Sequence, residues 1–234
     1  MLFFGQISAF HSMPRAASPH SLDTLISRRV QRSQAGAVFT PDAFAAMGSR
    51  AAIDKALQRM VQRGELRRLS RGLYDKPRHD ALLGVLWPSV DAIVKAVAGK
   101  DRIRTQPTGA YAANLLGLSE QVPAQVEFLT DGISRRVQAG PLKLSFKRTT
   151  PRQMAAAGRL SGLLIQAFKS LGAPHISPAR IRHLRETLPV EERAKVLQDL
   201  ALAPAWMRPL LREVARTDEA PAQLSAGKTP HALR

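Results

Sequence analysis

Between residues 49 and 77 the chain carries a capped amphipathic helix followed at once by a short basic hairpin, and this pairing limits the possible folds more than any other stretch. Ser49 stands where a helix N-cap is needed. Ile53, Ala56, Leu57, Met60 and Val61 then fall on one face at helical spacing, with Arg50, Asp54, Lys55, Gln58, Arg59 and Gln62 on the remaining surface. Gly64 closes the helix at about Arg63. Residues 65–69 and 72–75 read as two strands around Ser70-Arg71, and Pro77 ends the pattern.

Two shorter helical patterns precede it. Ser21 can cap a helix with Leu22, Leu25, Ile26 and Val30 on its apolar side, broken by Gly36. Residues 37–39 are extended, and Thr40 then caps a brief helix that has Pro41 at its first position, Phe44 and Met47 inward and Gly48 at its end. Helix, short helix, turn, longer helix and basic hairpin is the element order of a winged helix-turn-helix, here over residues 21–78. In that fold the third helix enters the major groove and its N-terminal side chains reach base edges. Arg50 can pair bidentately with guanine and Gln58 with adenine, while Arg67, Arg68 and Arg71 on the hairpin face phosphates or an adjacent minor groove. The expected double-stranded DNA contact set is Ser49, Arg50, Lys55, Gln58, Arg59, Arg67, Arg68 and Arg71. Asp54 on the same face repels phosphate unless it pairs with Lys55 or Gln58, or accepts from cytosine. The alternative is a winged helix that docks a protein partner, as in a protein associated with RNA or a nuclease.

Charge points the same way. Thirty-five Lys and Arg against eighteen Asp and Glu give a net charge of +17 and a pI near 11.4. The excess is spread along the chain: 12 basic and 6 acidic side chains in residues 21–80, 9 and 5 in 81–150, 13 and 7 in 151–234. A basic folded surface attracts polyanions, among them nucleic acid, anionic membrane and acidic protein; simple solubility is the plainer explanation. No apolar run approaches the ~20 residues of a membrane span. The absence of cysteine leaves no thiol chemistry, disulfide or cysteine-based zinc site and fits a reducing cytoplasm. The six His residues show no metal-ligand spacing, and no nucleophile with a placed base can be found, so neither a catalytic site, a metal nor a cofactor is expected. Residues 1–20 read as a disordered leader in which Met13 is an alternative start, and residues 217–234 as a frayed tail.

The rest, residues 80–216, reads as a mixed domain, making the whole chain α+β. A helix is expected over 81–98, using Leu82, Leu83, Val85 and Leu86 and then Val90, Ile93, Val94 and Val97. A strand at 102–105 stops at Pro107, and Thr108 caps a helix of small residues through Leu116. Residues 125–130 alternate, Asp131-Gly132 turns them into 134–138, and Leu142, Leu144 and Phe146 alternate with Lys143, Ser145 and Lys147. Together these predict a small antiparallel sheet packed on helices, followed by a mostly helical part over 152–216. Asp131 serves the turn, Gly158 and Gly162 within an apolar helix permit close packing, and His183 is a solvated member of a basic helix. Two basic groups, Arg135, Arg136, Lys143, Lys147 and Arg148 on the sheet and Arg180, Arg182 and Arg185 after Ser177-Pro178, are either solvated faces or a second surface for DNA, RNA or an acidic partner. No heptad seam marks a dimer.

The winged-helix region ending RGLYDKP, then RIRTQPTGAYAANLLGLSEQVPAQVEFLTDGISRRV, a further strand and PRQMAAAGRLSGLLIQAF, resemble the AbiEi-type antitoxins of bacterial type IV toxin–antitoxin systems over about residues 22–215. The distinctive pieces are QPTGAYAANLLGL, Val122-Pro123 and the turn at Leu129-Thr130-Asp131-Gly132. The resemblance implies a repressor of its own operon whose C-terminal domain counteracts a nucleotidyltransferase-like toxin without a stable complex; a cytoplasmic location is the default without a membrane span, and operators are often inverted repeats. A generic winged-helix regulator is the alternative.

Overall fold

The computed structural model describes residues 21–217 apart from 122 and 124. The expected leader with its two candidate starts, Val122, and all but the first residue of the expected tail lie outside these. The chain divides into two compact units, one ending at Lys100 and the other beginning at Asp101.

In the first unit α1, Leu22–Arg32, starts where the Ser21 hydroxyl accepts the Thr24 N–H at 3.3 Å. At its other end the Lys76 ammonium donates to the carbonyls of Gln31 and Ser33, each at 2.9 Å, which satisfies acceptors that the helix cannot. β1 is Val38–Phe39. Residues Pro41–Met47 form a 3₁₀ helix with Phe44 fully buried, and the Thr40 hydroxyl makes no cap. α2, Arg50–Gln62, begins where Ser49 Oγ accepts the Ala52 N–H at 3.4 Å. Its Ile53, Ala56, Leu57 and Met60 are buried against Ile26, Val30 and Phe44 in one core. Each large apolar side chain so buried contributes about 1.5–3 kcal/mol. β2, Arg67–Ser70, and β3, Leu73–Asp75, are joined through Gly72, whose φ of +71° is a left-handed conformation that glycine adopts without strain. β1 adds to this hairpin, giving an antiparallel sheet of order β1-β3-β2 in which Phe39 lies opposite Tyr74 and Arg67 opposite Asp75.

The helix expected from residue 81 starts nine residues later. Residues 78–86 form a second hairpin, β4 (Arg78–Asp80) with β5 (Gly84–Leu86), and only then does α3, Val90–Asp101, begin. The local cause is Asp80: its carboxylate accepts the N–H groups of Leu83 and Leu82, both at 2.9 Å, which folds the chain back. Those two N–H groups hold its carboxyl below the usual carboxylate range. Leu82 and Leu83, counted as core by helical spacing, stand at the tip 94% and 75% exposed.

The second unit is built on a four-stranded sheet. β6 is Thr105–Pro107, β7 Gln125–Thr130, β8 Arg135–Ala139 and β9 Leu142–Arg148, with α4, Gly109–Leu115, between β6 and β7. The order is β6-β7-β9-β8, and β9 runs parallel to β7 while the other pairs are antiparallel. The expected antiparallel sheet is therefore mixed, and the expected hairpin at Asp131-Gly132 does not form because β9 inserts between its two arms. Asp131 instead accepts the Arg104 backbone N–H at 2.8 Å and its Nε at 2.9 Å. The Arg104 guanidinium holds that carboxyl below its ordinary range, with help from the Arg104 backbone N–H. The strand expected at 102–105 starts only at Thr105, since Arg102 is left-handed at φ +52°. In register, Leu144 sits beside Val126 and Phe146 beside Phe128, and the two rings stack at 5.6 Å.

Helices complete this unit: α5 (Pro151–Met154), α6 (Leu160–Leu171), α7 (Pro178–Thr187), α8 (Val190–Lys195) and α9 (Arg208–Ala215), with 3₁₀ segments at Ala173–His175, Val196–Leu202 and Ala205–Met207. Gly158, at φ +79°, divides α5 from α6 where one continuous helix was expected. Gly162 does permit a close approach, but to the preceding turn: a Cβ there would fall 2.2 Å from the Ala156 carbonyl oxygen and 2.7 Å from Gln106 Oε1. Leu164, Phe168, Leu184, Leu211 and Val214 form the centre of the helical core. The fold is thus mixed α+β, with small sheets and a helical C-terminal part. Among the described residues no helix is long and apolar enough to cross a membrane.

Candidate functional site

The exposed face of α2 and the β2–β3 hairpin enclose a groove of about 710 Å³. One wall is the stripe Arg50, Asp54, Gln58 and Gln62, four residues apart and therefore stacked along one side of the helix. The facing residues are Arg68, Arg71 and Lys100, and Tyr74, itself in the core, forms part of the lining. The groove thus presents four cations, two amides and a single carboxylate, a combination that attracts an anionic ligand and can exchange directional hydrogen bonds with it.

Arg50 is held in place within this wall. Its Nε donates to both carboxylate oxygens of Asp54 at 3.1 Å, and Nη1 lies 3.6 Å from the Asp42 carboxylate on the preceding 3₁₀ helix. Asp54 therefore takes Arg50 as its partner, neither Lys55 nor Gln58.

The structure sorts the other expected contact residues by what already binds them. Gln58, Arg68 and Arg71 line the groove with Arg50. Ser49 spends its hydroxyl on the α2 cap, and Lys55 is exposed on α2 outside the groove lining. Arg59 is committed to Asp23 on α1, with Nε to Oδ2 at 2.7 Å and Nη2 to Oδ1 at 2.5 Å. This pair lowers the Asp23 pKa, chiefly through the hydrogen bond, and raises that of Arg59. Arg67 is turned inward: it donates to the buried Asp75 from Nε at 3.0 Å and Nη2 at 2.6 Å, donates to the Leu86 carbonyl at 2.9 Å, and lies 4.2 Å from the centroid of a Trp87 ring. Of these two carboxylate partners only Asp75 is interior; the Asp23–Arg59 pair lies at the surface.

Gln62 and Lys100 were not anticipated. Gln62 could have been, as the next step of four along the stripe from Arg50; Lys100, 29 residues beyond Arg71, carries no local signal.

In the second unit the expected basic group on the sheet separates by strand alternation. Arg136, Lys143 and Lys147 share one face, where Lys147 pairs with Glu127 at 2.5 Å. Arg135 and Arg148 point to the other face. Arg135 packs over the Phe146 ring at 5.5 Å and is bonded to Asp101. On α7, Arg180 donates to the His175 carbonyl, Arg185 lies 3.5 Å from Glu213, and Arg182 is exposed. His183, expected in solvent, is half-buried against Gly117, where a Cβ would fall 2.6 Å from Nε2. Among the described residues no cluster of three or more His, Asp or Glu could hold a metal ion.

Among curated proteins, none matches the sequence. Residues 25–196 match a protein family described as a family of unknown function, DUF6088. That match spans more than half of the chain, and the protein belongs to this family.

Proposed function

We propose that the first unit is a winged helix-turn-helix that binds double-stranded DNA, and that the protein is a transcriptional repressor. The observation that carries this reading is the groove between α2 and the β2–β3 hairpin, with Arg50, Gln58 and Gln62 on the helix wall and Arg68, Arg71 and Lys100 facing them. α2 presents bidentate side chains along about 18 Å of one face, long enough to span several base pairs in a major groove. In this reading Arg68 and Arg71 of the hairpin contact phosphates. β1 adds a third strand to the hairpin, which supports reading it as a wing.

The resemblance to AbiEi-type antitoxins extends the proposal. The protein would repress its own operon from an inverted-repeat operator, in the cytoplasm, and its second unit would counteract a nucleotidyltransferase-like toxin without a stable complex. The repressor part is tested by measuring binding of the full chain to the DNA upstream of its own gene across a salt series. A steep fall of affinity with salt, flattened in an Arg68→Ala, Arg71→Ala double variant, supports it; no preference for that DNA over unrelated duplex overturns it. The antitoxin part is tested by co-expressing the protein with a neighbouring toxic gene, and fails if growth is not restored.

A further inference from the structure

In the second unit a cavity of about 400 Å³ opens between the α5–α6 region and residues 202–208. Three cations, Arg152, Lys169 and Arg208, line it, and no carboxylate does. Elsewhere in the same unit basic side chains find acids: Arg104 takes Asp131, Lys147 takes Glu127 and Arg159 takes Asp199. Around the cavity none of the three makes an ion pair with a described residue. Arg208 is anchored by Nε, which donates to the Ala203 carbonyl at 3.2 Å, leaving its terminal nitrogens uncommitted.

A second observation lies at the cavity wall. Gln166 is 6% exposed, and its Oε1 accepts the Thr108 hydroxyl at 3.0 Å. Its amide nitrogen has no acceptor among the described residues, and the side chain lines the cavity. That nitrogen is not fully enclosed and keeps access to the cavity, where a ligand acceptor can replace water. Three lining cations and an amide donor beside Ile165 and Pro204 make a concave site of small-ligand size, with one anionic and one apolar requirement.

We infer that this cavity binds a free nucleotide, with its phosphates on Arg152, Lys169 and Arg208 and its nucleoside against Ile165 and Pro204 within reach of the Gln166 amide. The concavity suits a free phosphate ester better than the backbone of a duplex, which needs an open surface. The inference is independent of the DNA reading, since every residue in it lies in the second unit.

The test is calorimetric titration of the full chain with ATP, GTP, adenosine, pyrophosphate and a short duplex at about 0.15 M salt, where long-range attraction to a cationic protein is screened. Saturable 1:1 binding of ATP or GTP is expected, with adenosine and pyrophosphate each much weaker. Gln166→Glu keeps the acceptor for Thr108 but sets a negative charge at the wall, and should weaken binding by about tenfold or more, as should Arg208→Ala. Lys169→Ala, at an exposed position, gives the same readout if Arg208→Ala does not fold. Arg68→Ala in the first unit should leave nucleotide affinity unchanged. The inference is overturned if neither nucleotide saturates, if pyrophosphate or the duplex binds at this cavity as tightly as ATP, or if Gln166→Glu binds ATP like the unaltered protein.

Discussion

The guanidinium of Arg67 lies on the carboxylate of Asp75, Nε at 3.0 Å from one oxygen and Nη2 at 2.6 Å from the other, and the Asp75 side chain is completely buried. The two residues face each other across β2 and β3. Arg67 also bonds the Leu86 carbonyl, so one side chain ties the β2–β3 hairpin to β5.

Removal of that side chain leaves a charge with no partner in the interior. Arg67→Ala should therefore destabilise the first unit by about 3–5 kcal/mol, read as a lower midpoint in denaturant. Adding Asp75→Asn should recover part of the loss. An Arg67→Ala protein with an unchanged midpoint would show that the pair is not what holds the hairpin.

Arg68 and Arg71 have no such internal duty. If the groove is the DNA surface, replacing either with Ala should reduce the slope of log affinity against log salt by about 1 and leave sequence preference intact. Stability should barely change. A slope equal to that of the unaltered protein would remove the hairpin from the interface.

Arg50 makes a different prediction because Asp54 holds its Nε. Arg50→Ala should cost about 1–3 kcal/mol at a single G·C pair and flatten preference there. Asp54→Asn should blur the same position while increasing affinity for unrelated duplex, since it removes the one carboxylate in the groove. Selection from a randomised site reads both effects, and a preference lost at several positions would contradict the pairing of these two residues.

The Asp23–Arg59 pair predicts a pH dependence. Asp23 has a lower pKa folded than its unfolded value of about 3.9, so its contribution is present above that pH and is lost as pH falls through the folded pKa. Arg59 is half-exposed, so the pair is worth at most about 1 kcal/mol. Asp23→Asn should be less stable than the unaltered protein by that amount at neutral pH, with the gap closing below about pH 4. A gap that persists unchanged to pH 2 would assign the loss to packing instead.

Gly162 tests the second unit. An Ala there would press its methyl into the Ala156 carbonyl, and should cost about 1–3 kcal/mol, visible in thermal unfolding. A neutral result would mean that the 155–159 turn yields easily.

Local grammar made much of the first unit legible. Ser21 and Ser49 announce helix starts through hydroxyls that accept the Thr24 and Ala52 N–H groups, and Gly64 and Gly72 sit at left-handed positions. Local grammar also misled at residues 81–86, where Leu82, Leu83, Val85 and Leu86 fit a helical stripe but Asp80 bends the backbone first. In the groove, Arg50, Gln58, Arg68 and Arg71 were identifiable from position on α2 and the hairpin. The sequence could not tell that Arg59 and Arg67 are spent elsewhere, because Asp23 lies 36 residues from Arg59 and Asp75 is known to be interior only once β1 covers β3. The place of β9 was likewise out of reach, since a strand's own alternation says which face is apolar and nothing about its neighbours.

That place of β9 bears on how the chain emerges from the ribosome. In the first unit the central strand of the β1-β3-β2 sheet is the last to be made, so β1 waits until residue 75 is out for its partner. The second unit repeats that order: β9, which lies between β7 and β8, is the last of its four strands to be synthesised. Until residue 148 is out, β7 and β8 have no shared neighbour, and the edges that will meet β9 stay unpaired.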